Sequence, residues 1–362
     1  MSVDDLIRQW SERVREAAAC GQALCLRGGG TKRFYGRLER GERLDTRACR
    51  GIINYEPSEL VVTVRAGTPL VELEAALAAQ GQMLAFEPPH FGPGATIGGC
   101  VAAGLAGPRR AAVGGVRDFI LGVRMIDGRG EVLRFGGEVM KNVAGYDVSR
   151  VLAGSLGTLG LIVDVSLKVL PKPVAEASLR FEMGEAAALH QLNVWGGQPL
   201  PISASVWCNG ILELRLSGAA AAVGAAIGRL GGEHIPDAVA EVRWRALREH
   251  TDTFFAGAQS SSSQPPLWRL SLPTDALAIE LDGAQLVEWG GAQRWLRSGL
   301  LPDVIRARVA ALGGHATLFR NGVREGTVFH PLTAPMLALQ RNLKNAFDPA
   351  RVFNPGRLYE GL

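Results

Sequence analysis

The apolar run Ala23-Leu24-Cys25-Leu26 stops at Arg27-Gly28-Gly29-Gly30-Thr31-Lys32. The run reads as a buried strand, and the glycines after it as a loop whose consecutive main-chain N–H groups stand unshielded by side chains. Such a concavity suits an anion, a phosphate or diphosphate, and Lys32 adds positive charge beside it. The plain alternative is a simple turn after a strand. Glycine is the compositional outlier, 46 of 362 residues, with further clusters at Gly98-Gly99, Gly114-Gly115 and Gly136-Gly137. There is no triplet period, which excludes collagen.

A chain of this length predicts about two domains of roughly 100–200 residues each. Apolar residues make up 47% and charged residues 20%, a globular balance that excludes a disordered chain. The net charge is +4 with mixed signs along the chain, weak support for a nucleic-acid partner. Five cysteines (Cys20, Cys25, Cys49, Cys100, Cys208) include no C-x-x-C pair, so neither a disulfide framework nor a metal site is expected. A reducing, cytoplasmic compartment fits best. The N-terminal MSVDDLIRQW carries acids and no long apolar run, unlike a signal peptide. The uncharged stretch Phe91 to Pro108 is long enough to span a membrane, but its glycines and prolines make it loop plus short helix. Any membrane contact is expected to be peripheral.

Ser2 can cap a helix that places Val3, Leu6, Ile7, Trp10 and Val14 on one face, with Gly21 ending it. Leu60–Val64 reads as a strand. Thr68-Pro69 opens a helix lined by Leu70, Leu73 and Leu77. Thr96 can cap a short helix from Ile97 to Gly104, whose small residues allow a flat ligand to approach closely. Strands are expected at Phe119–Asp127, Glu131–Phe135 and Leu159–Leu170, and a helix at Val143–Ala153. Pro171 and Pro173 mark a domain boundary. Beyond them, strands near Ser203–Trp207, Ile211–Leu216, Leu267–Leu272, Leu286–Trp289 and His315–Phe319, with helices at Ala219–Leu230 and Val304–Leu312, suggest an antiparallel sheet with helices on one side. Gln259 to Pro266 reads as a polar loop, and the tail from Pro335 as a helix followed by loops.

The phosphate loop G-x-x-x-x-G-K-[ST] is absent, and no G-x-G-x-x-G follows the first strand. The run Gly154-Ser155-Leu156-Gly157-Thr158-Leu159-Gly160 lies between a helix and a strand, the reverse of the Rossmann order. Three separate glycine segments in one domain are better explained by a long ligand lying across several loops than by turns alone.

Taken in order, Arg27-Gly28-Gly29-Gly30-Thr31, Ala95-Thr96-Ile97-Gly98-Gly99, Lys141-x-x-x-Gly145-Tyr146-Asp147, Gly154-Ser155-x-Gly157-Thr158-Leu159-Gly160, Phe347-Asp348-Pro349 and Asn354-Pro355-Gly356 form a pattern. It resembles the vanillyl-alcohol oxidase/PCMH-type FAD-binding superfamily, in its D-2-hydroxyacid dehydrogenase branch. Within that branch it is most similar to the FAD-binding subunits of bacterial glycolate oxidases. The likeness continues through Glu288-Trp289-Gly290-Gly291, Arg294-Trp295-Leu296 and Gly313 to Arg320, and covers almost the whole chain. The resemblance implies an α+β protein: a two-subdomain PCMH-type FAD-binding domain over residues 1–172, a ferredoxin-like antiparallel-sheet cap over 175–335, and a C-terminal segment, 336–362, returning to the FAD domain.

It also implies a cofactor site for FAD. Arg27, Gly28, Gly29, Gly30, Thr31 and Lys32, with Ala95, Thr96, Ile97, Gly98 and Gly99, would wrap the diphosphate. Pro89, Ala102 and Gly104 would flank them. Gly154, Ser155, Gly157, Thr158, Gly160 and Ile162 would hold the adenosine and ring edges, and Asn354 and Arg357 would sit near the isoalloxazine. Some members attach the flavin through a His after the paired glycines; Thr31 stands there, so noncovalent FAD is expected. Cys100, the other conceivable link, reads as a small buried hydrophobe.

The branch's His-x-Gly-Asp-Gly-Asn-x-His metal segment has no counterpart here, and Phe319-Arg320 stand where a Glu-His pair would be. No metal is expected. The candidate base is His315, with His90 as second choice, and Arg320 could grip a substrate carboxylate by a two-bond fork. For each, a structural role is the plain alternative. His190, His234 and His250 show no cluster and read as surface residues. The implied activity is oxidation of glycolate to glyoxylate as part of a complex, with a catalytic flavoprotein subunit and an iron–sulfur subunit as partners and possible contact with the inner face of the plasma membrane. The rival readings are a non-catalytic electron-relay or assembly subunit, or a flavin oxidoreductase for another hydroxy acid.

Overall fold

The computed structural model describes residues 2–138, 147–256 and 264–362. The Lys141 to Tyr146 part of the motif above and the Gln259 to Ser263 part of the polar loop lie outside these residues. The chain folds into two compact units: Met1–Leu105 with Gly115–Pro171 and Arg324–Leu362, and Ala106–Gly114 with Lys172–Val323.

The first unit opens with helix α1 (Val3–Cys20). Ser2 and Asp5 close a reciprocal capping box at its start, and Gly21 ends it in the left-handed region. Its buried face (Leu6, Ile7, Trp10, Val14, Ala17) packs on Leu24, Leu44, Ile126, Leu161, Val163, Val352 and Phe353. Strands β1 (Leu24–Arg27) and β2 (Glu42–Asp45) pair in parallel. Strands β3 (Ile52–Glu56), β4 (Val61–Arg65), β5 (Ile120–Ile126), β6 (Val132–Gly136) and β7 (Leu161–Lys168) form an antiparallel sheet in the order β3-β4-β7-β5-β6. Helix α2 (Leu70–Ala79) buries Leu70, Leu73 and Leu77, and α3 (Ile97–Ala103) is capped by Thr96 and closed by Gly104, as the sequence leads one to expect. The expected helix over 143–153 is, in its described part, a 3-10 turn at Ser149–Leu152.

The tail is part of this unit. Phe353 bridges in parallel to Leu24. Lys344, fully buried on the tail helix Ala334–Phe347, donates to Asp348 Oδ2 (2.6 Å), Thr158 O (2.6 Å) and Phe353 O (2.9 Å). Residues 324–335, expected with the cap, group here because Arg324 donates to the carbonyls of Arg33, Gly36 and Arg37.

The second unit is one antiparallel sheet of β8 (Ala175–Glu182), β9 (Ile202–Cys208), β10 (Ile211–Gly218), β11 (Glu233–Ile235), β12 (Leu267–Ser271), β13 (Ala284–Glu288), β14 (Gln293–Arg297) and β15 (His315–Arg320), in the order β11-β8-β10-β9-β13-β14-β12-β15. The ferredoxin-like order, fourth-first-third-second, therefore occurs twice. The halves β11-β8-β10-β9 and β15-β12-β14-β13 meet through their second strands, with Trp207 opposite Val287. The first half keeps both helices, α4 (Glu185–Gly196) and α5 (Ala220–Leu230). In the second half only the later helix, α7 (Pro302–Ala311), is present among the described residues. Residues 272–283 replace the other, and Arg294, fully buried, holds that loop by donating to the carbonyls of Ala276 and Leu277. Helix α6 (Asp237–Glu249) joins the halves, with Trp244 Nε1 donating to Ser178 Oγ (2.9 Å).

Candidate functional site

The glycine segments meet in the first unit. A groove of about 590 Å³ is lined by residues 25–33 with Glu39, Thr96, Gly99, Ala102, Ala103, Leu156, Asn354 and Arg357. A second hollow of about 430 Å³ shares Leu26, Arg27, Gly28, Gly99, Ala102, Leu156 and Asn354 with it and adds Thr46, Ala66, Gly98, Gly157, Gly160, Leu161 and Ile162. The two form one elongated trough.

The reason glycine is needed is steric. A Cβ on Gly29 would lie 1.4 Å from Gly94 O, one on Gly28 2.4 Å from Thr96 Oγ1, and one on Gly157, at φ +72°, 2.7 Å from Asn354 Nδ2. Two glycine loops thus touch backbone to backbone. The N–H groups of Gly28, Gly29, Gly30 and Thr31 donate to no described residue. Arg357 supplies a further donor. Its Nη2 is spent on Tyr35 O (2.6 Å) and Arg33 O (3.1 Å), while its buried Nη1 has no protein partner. Burial pulls the Arg357 guanidinium down to about 10, so it remains a cation at neutral pH. A run of open amides beside an orphaned buried guanidinium N–H fits the diphosphate of a dinucleotide such as FAD.

Of the residues expected at the cofactor, Arg27 to Lys32, Thr96, Gly98, Gly99, Ala102, Gly157, Gly160, Ile162, Asn354 and Arg357 line this trough. Pro89, Ala95, Ile97, Gly104, Gly154, Ser155 and Thr158 do not; they brace it from behind. Ala95 O accepts from Leu70 N, Ile97 N donates to Thr68 O, and Gly154 N donates to Val101 O. A Cβ on Gly104 would lie 2.8 Å from Gly154 Cα. Thr158 Oγ1 donates to Ser155 O, and Ser155 Oγ accepts from Gly157 N. Pro89 is buried beside His90. Asn354 is the hinge of the wall: Oδ1 accepts from Leu26 N (2.8 Å) and Nδ2 donates to Leu156 O (2.6 Å). Leu26, Thr46, Ala66 and Leu156 carry no motif and could not be picked from sequence.

Thr31 Oγ1 and Lys32 Nζ both donate to His90 O, at 2.7 and 3.2 Å, and His90 Nε2 lies 3.0 Å from Glu74 Oε2. Burial pushes the Cys100 thiol up to about 12, so it stays protonated and unreactive. An open hollow of about 970 Å³ adjoins the trough at Thr96, with Asp45, Arg47 and Arg50 among its lining. Asp45 there is held down to about 2, chiefly by hydrogen bonds from Arg47.

The expected pairing of His315 as base with Arg320 as carboxylate clamp does not hold geometrically. Both lie on β15, at its two ends; five steps of roughly 3.3 Å put them about 16 Å apart, too far for side chains standing off a sheet to meet one two-carbon acid. His315 is solvent-exposed. His250, which the sequence suggests is a surface residue, is buried, stacked on Phe255 at 4.0 Å and edge-on to Trp295 at 4.7 Å. Burial, then Arg320 and Arg269, depress its basicity well below the usual range. Among the described residues no group of three or more His, Cys, Asp or Glu side chains is arranged to hold a metal.

The family model "FAD binding domain" matches residues 7–136. Glycolate oxidase subunit GlcE of Escherichia coli is 49% identical over 351 residues, 97% of each chain. Glycolate oxidase subunit GlcD of Bacillus subtilis is 32% identical over 139 residues, 38% of this chain and 29% of that protein. Among solved structures, an alkyldihydroxyacetonephosphate synthase shares the fold with a TM-score of 0.66 at 15% identity, covering 96% of this chain and 75% of that one. The near-complete match to the first of these relatives shows that the chain belongs to the glycolate oxidase subunit GlcE family, an oxidoreductase family with an FAD-binding domain.

Proposed function

We propose that this chain binds FAD noncovalently in the trough and serves as a flavoprotein subunit of an assembly that oxidises glycolate to glyoxylate. The observation that carries the reading is the convergence of four unpartnered amides and the orphaned Arg357 Nη1 on one elongated groove. When bound, FAD supplies a two-electron acceptor for the hydride of the hydroxyl-bearing carbon. The chain's own residues bind and orient it: the loop amides meet the diphosphate, Arg357, expected near the isoalloxazine, lines the same groove as those amides and is assigned to the diphosphate instead, and Asn354 fixes the wall. Noncovalent attachment is supported by Thr31, which has no ring nitrogen and whose hydroxyl is engaged with His90 O.

The partners in this reading are a second flavoprotein subunit and an iron–sulfur subunit. The stretch shared with GlcD supports the first, and the cysteine spacing here, which lacks a cluster motif, supports placing the second elsewhere. The assembly would lie in the cytoplasm, in contact with the inner face of the plasma membrane; among the described residues no helix is long and apolar enough to cross a membrane.

The test is the visible spectrum of the purified chain, followed by acid precipitation. A yellow protein whose flavin stays in the supernatant is expected. A colourless protein that remains colourless after addition of FAD would overturn the reading. A relay subunit whose flavin never meets substrate is the second reading, favoured by Phe319-Arg320 in place of Glu-His and by the separation of His315 from Arg320. Anaerobic glycolate added to the flavin-loaded chain separates the two: bleaching without a partner means direct oxidation, and bleaching only with a partner means relay.

A further inference from the structure

The open hollow of about 970 Å³ beside the trough is lined by Asp45, Arg47, Ala48 and Arg50 from one short loop, with Gly67, Pro69, Gly94 and Thr96 opposite in sequence. All of it lies within the first unit. Its size is that of a small-molecule site, roughly 300–1,000 Å³. Only Thr96 is common to its lining and that of the trough, and the Thr96 hydroxyl is engaged in capping α3. Residues 27–50 carry eight Lys and Arg against three Asp and Glu, a net +5 that exceeds the +4 of the whole chain. The excess charge of the molecule therefore sits on the segment that leads from the glycine loop to this hollow, and a concave surface of one sign concentrates ions of the other.

The loop is fixed by its own backbone. Thr46 N donates to Arg27 O (2.9 Å), Cys49 N to Thr46 O (3.2 Å), Gly67 N to Cys49 O (2.8 Å) and Gly51 N to the buried Thr68 Oγ1 (2.8 Å). Arg65 Nη1 donates to Arg50 O (3.2 Å). A Cβ on Gly67 would lie 2.5 Å from Thr46 O and 2.6 Å from Cys49 O, so glycine is what lets the loop rest against the turn after β4.

This loop presents two exposed arginines in different ways. Arg47 is pinned by Asp45: its Nε donates to Oδ1 (3.0 Å) and its Nη2 to Oδ2 (2.7 Å), and Nη1 takes no part in that pairing. Arg50 makes no side-chain hydrogen bond or ion pair with a described residue. Asp45, the one acid in the lining, also accepts from Arg43 (2.8 Å) and is held ionised down to about 2, so its charge is matched before Arg50 is counted. A guanidinium held still by its own carboxylate, three residues from one with no partner, suits an oxyanion with several acceptor oxygens and two negative charges. A carboxylate would be satisfied by Arg50 alone.

We propose that this hollow is a second anion site, separate from the cofactor trough, and that it takes a phosphate monoester with the phosphate between Arg47 Nη1 and the Arg50 guanidinium. The site stands whether or not the trough holds FAD.

Titration calorimetry of the full chain, saturated with FAD, tests it at low salt and about pH 8, where a phosphate with its second pKa near 6 is a dianion. The probes are inorganic phosphate, glycerol 3-phosphate and acetate. Both phosphates should bind saturably, one per chain, with the flavin retained, and acetate about tenfold more weakly or worse. Arg50→Met should weaken phosphate about tenfold or more, the usual effect of losing a charged hydrogen bond, and Arg50→Lys by a smaller factor. Neither should change flavin content. Arg357→Met, which acts on the trough, should leave phosphate affinity unchanged. Absence of saturable phosphate binding, wild-type affinity in both Arg50 variants, or release of flavin by phosphate overturns the proposal. Acetate binding as tightly as phosphate, or phosphate binding without glycerol 3-phosphate, overturns the ligand class. A chain that takes up no FAD ends the cofactor reading instead; the same titrations then assign the phosphate to the hollow if Arg50→Met weakens it, and overturn the site if only Arg357→Met does.

Discussion

Gly29 shows how a single hydrogen can be the constraint. No side chain fits where its Cβ would lie 1.4 Å from the Gly94 carbonyl, so Gly29→Val should push the two loops apart. The expected outcome is a purified protein with flavin occupancy below about a tenth of wild type, since several phosphate amides are displaced together; full occupancy, read from absorbance per protein, would refute the loop assignment. Arg357→Met should weaken FAD by roughly tenfold or more, because a charged donor to the diphosphate is removed, and equilibrium dialysis measures it. The glycines were legible because clustered glycine is unusual inside a well-patterned chain, whereas Arg357 came only with the family resemblance. Leu26, Ala66 and Leu156 were not: a leucine that lines a groove has the same local pattern as one that fills a core.

The elements that shape the trough are held by few groups. Thr96 caps α3 by accepting from Gly99 N, and Thr96→Ala should cost about 1 kcal/mol, seen as a lower denaturant midpoint. The Lys344–Asp348 pair ties the tail helix to the loop at Thr158 and to Phe353. Lys344→Met leaves Asp348 with its two backbone donors, Val352 N and Phe353 N, but without its counter-ion, and should cost about 3–5 kcal/mol. Unchanged stability in a denaturant titration would show that the backbone bonds alone suffice. In the cap, burial raises the Glu288 carboxyl above the usual range, and it works in the opposite direction from an ordinary paired acid. The folded state holds its proton more tightly than the unfolded chain, so stability falls as pH rises from about the ordinary 4.5 through the raised value. Glu288→Gln should remove that slope and be no less stable at neutral pH, as thermal melts across pH would show. Capping signals such as Ser2 with Asp5 and Thr96 were readable locally; Lys344 was not, because its acceptors lie at positions 158 and 353.

At the scale of the molecule, the first unit is assembled from three separated stretches. Residues 1–172 without the tail would lack Phe353 beside Leu24 and Asn354 between Leu26 and Leu156. Expressed alone, that stretch should fail to retain FAD and should be cut rapidly by protease, whereas the full chain resists; equal flavin retention would show the tail to be dispensable. The cap behaves likewise, since its doubled fourth-first-third-second strand order left no repeat visible in the sequence. What the sequence determined was everything set by neighbours along the chain: the glycine loops, the helix caps, the alternating strands and the antiparallel hairpins. Only the tertiary structure decided which loops meet, that the tail closes the trough, that His250 is buried, and that Arg47 and Arg50 line one hollow with Gly94 and Thr96. Chain conformation depends on near neighbours, but a site depends on which distant segments meet and which strands pair in what register, and one residue of slip would turn every side chain of a strand to the other side of the sheet.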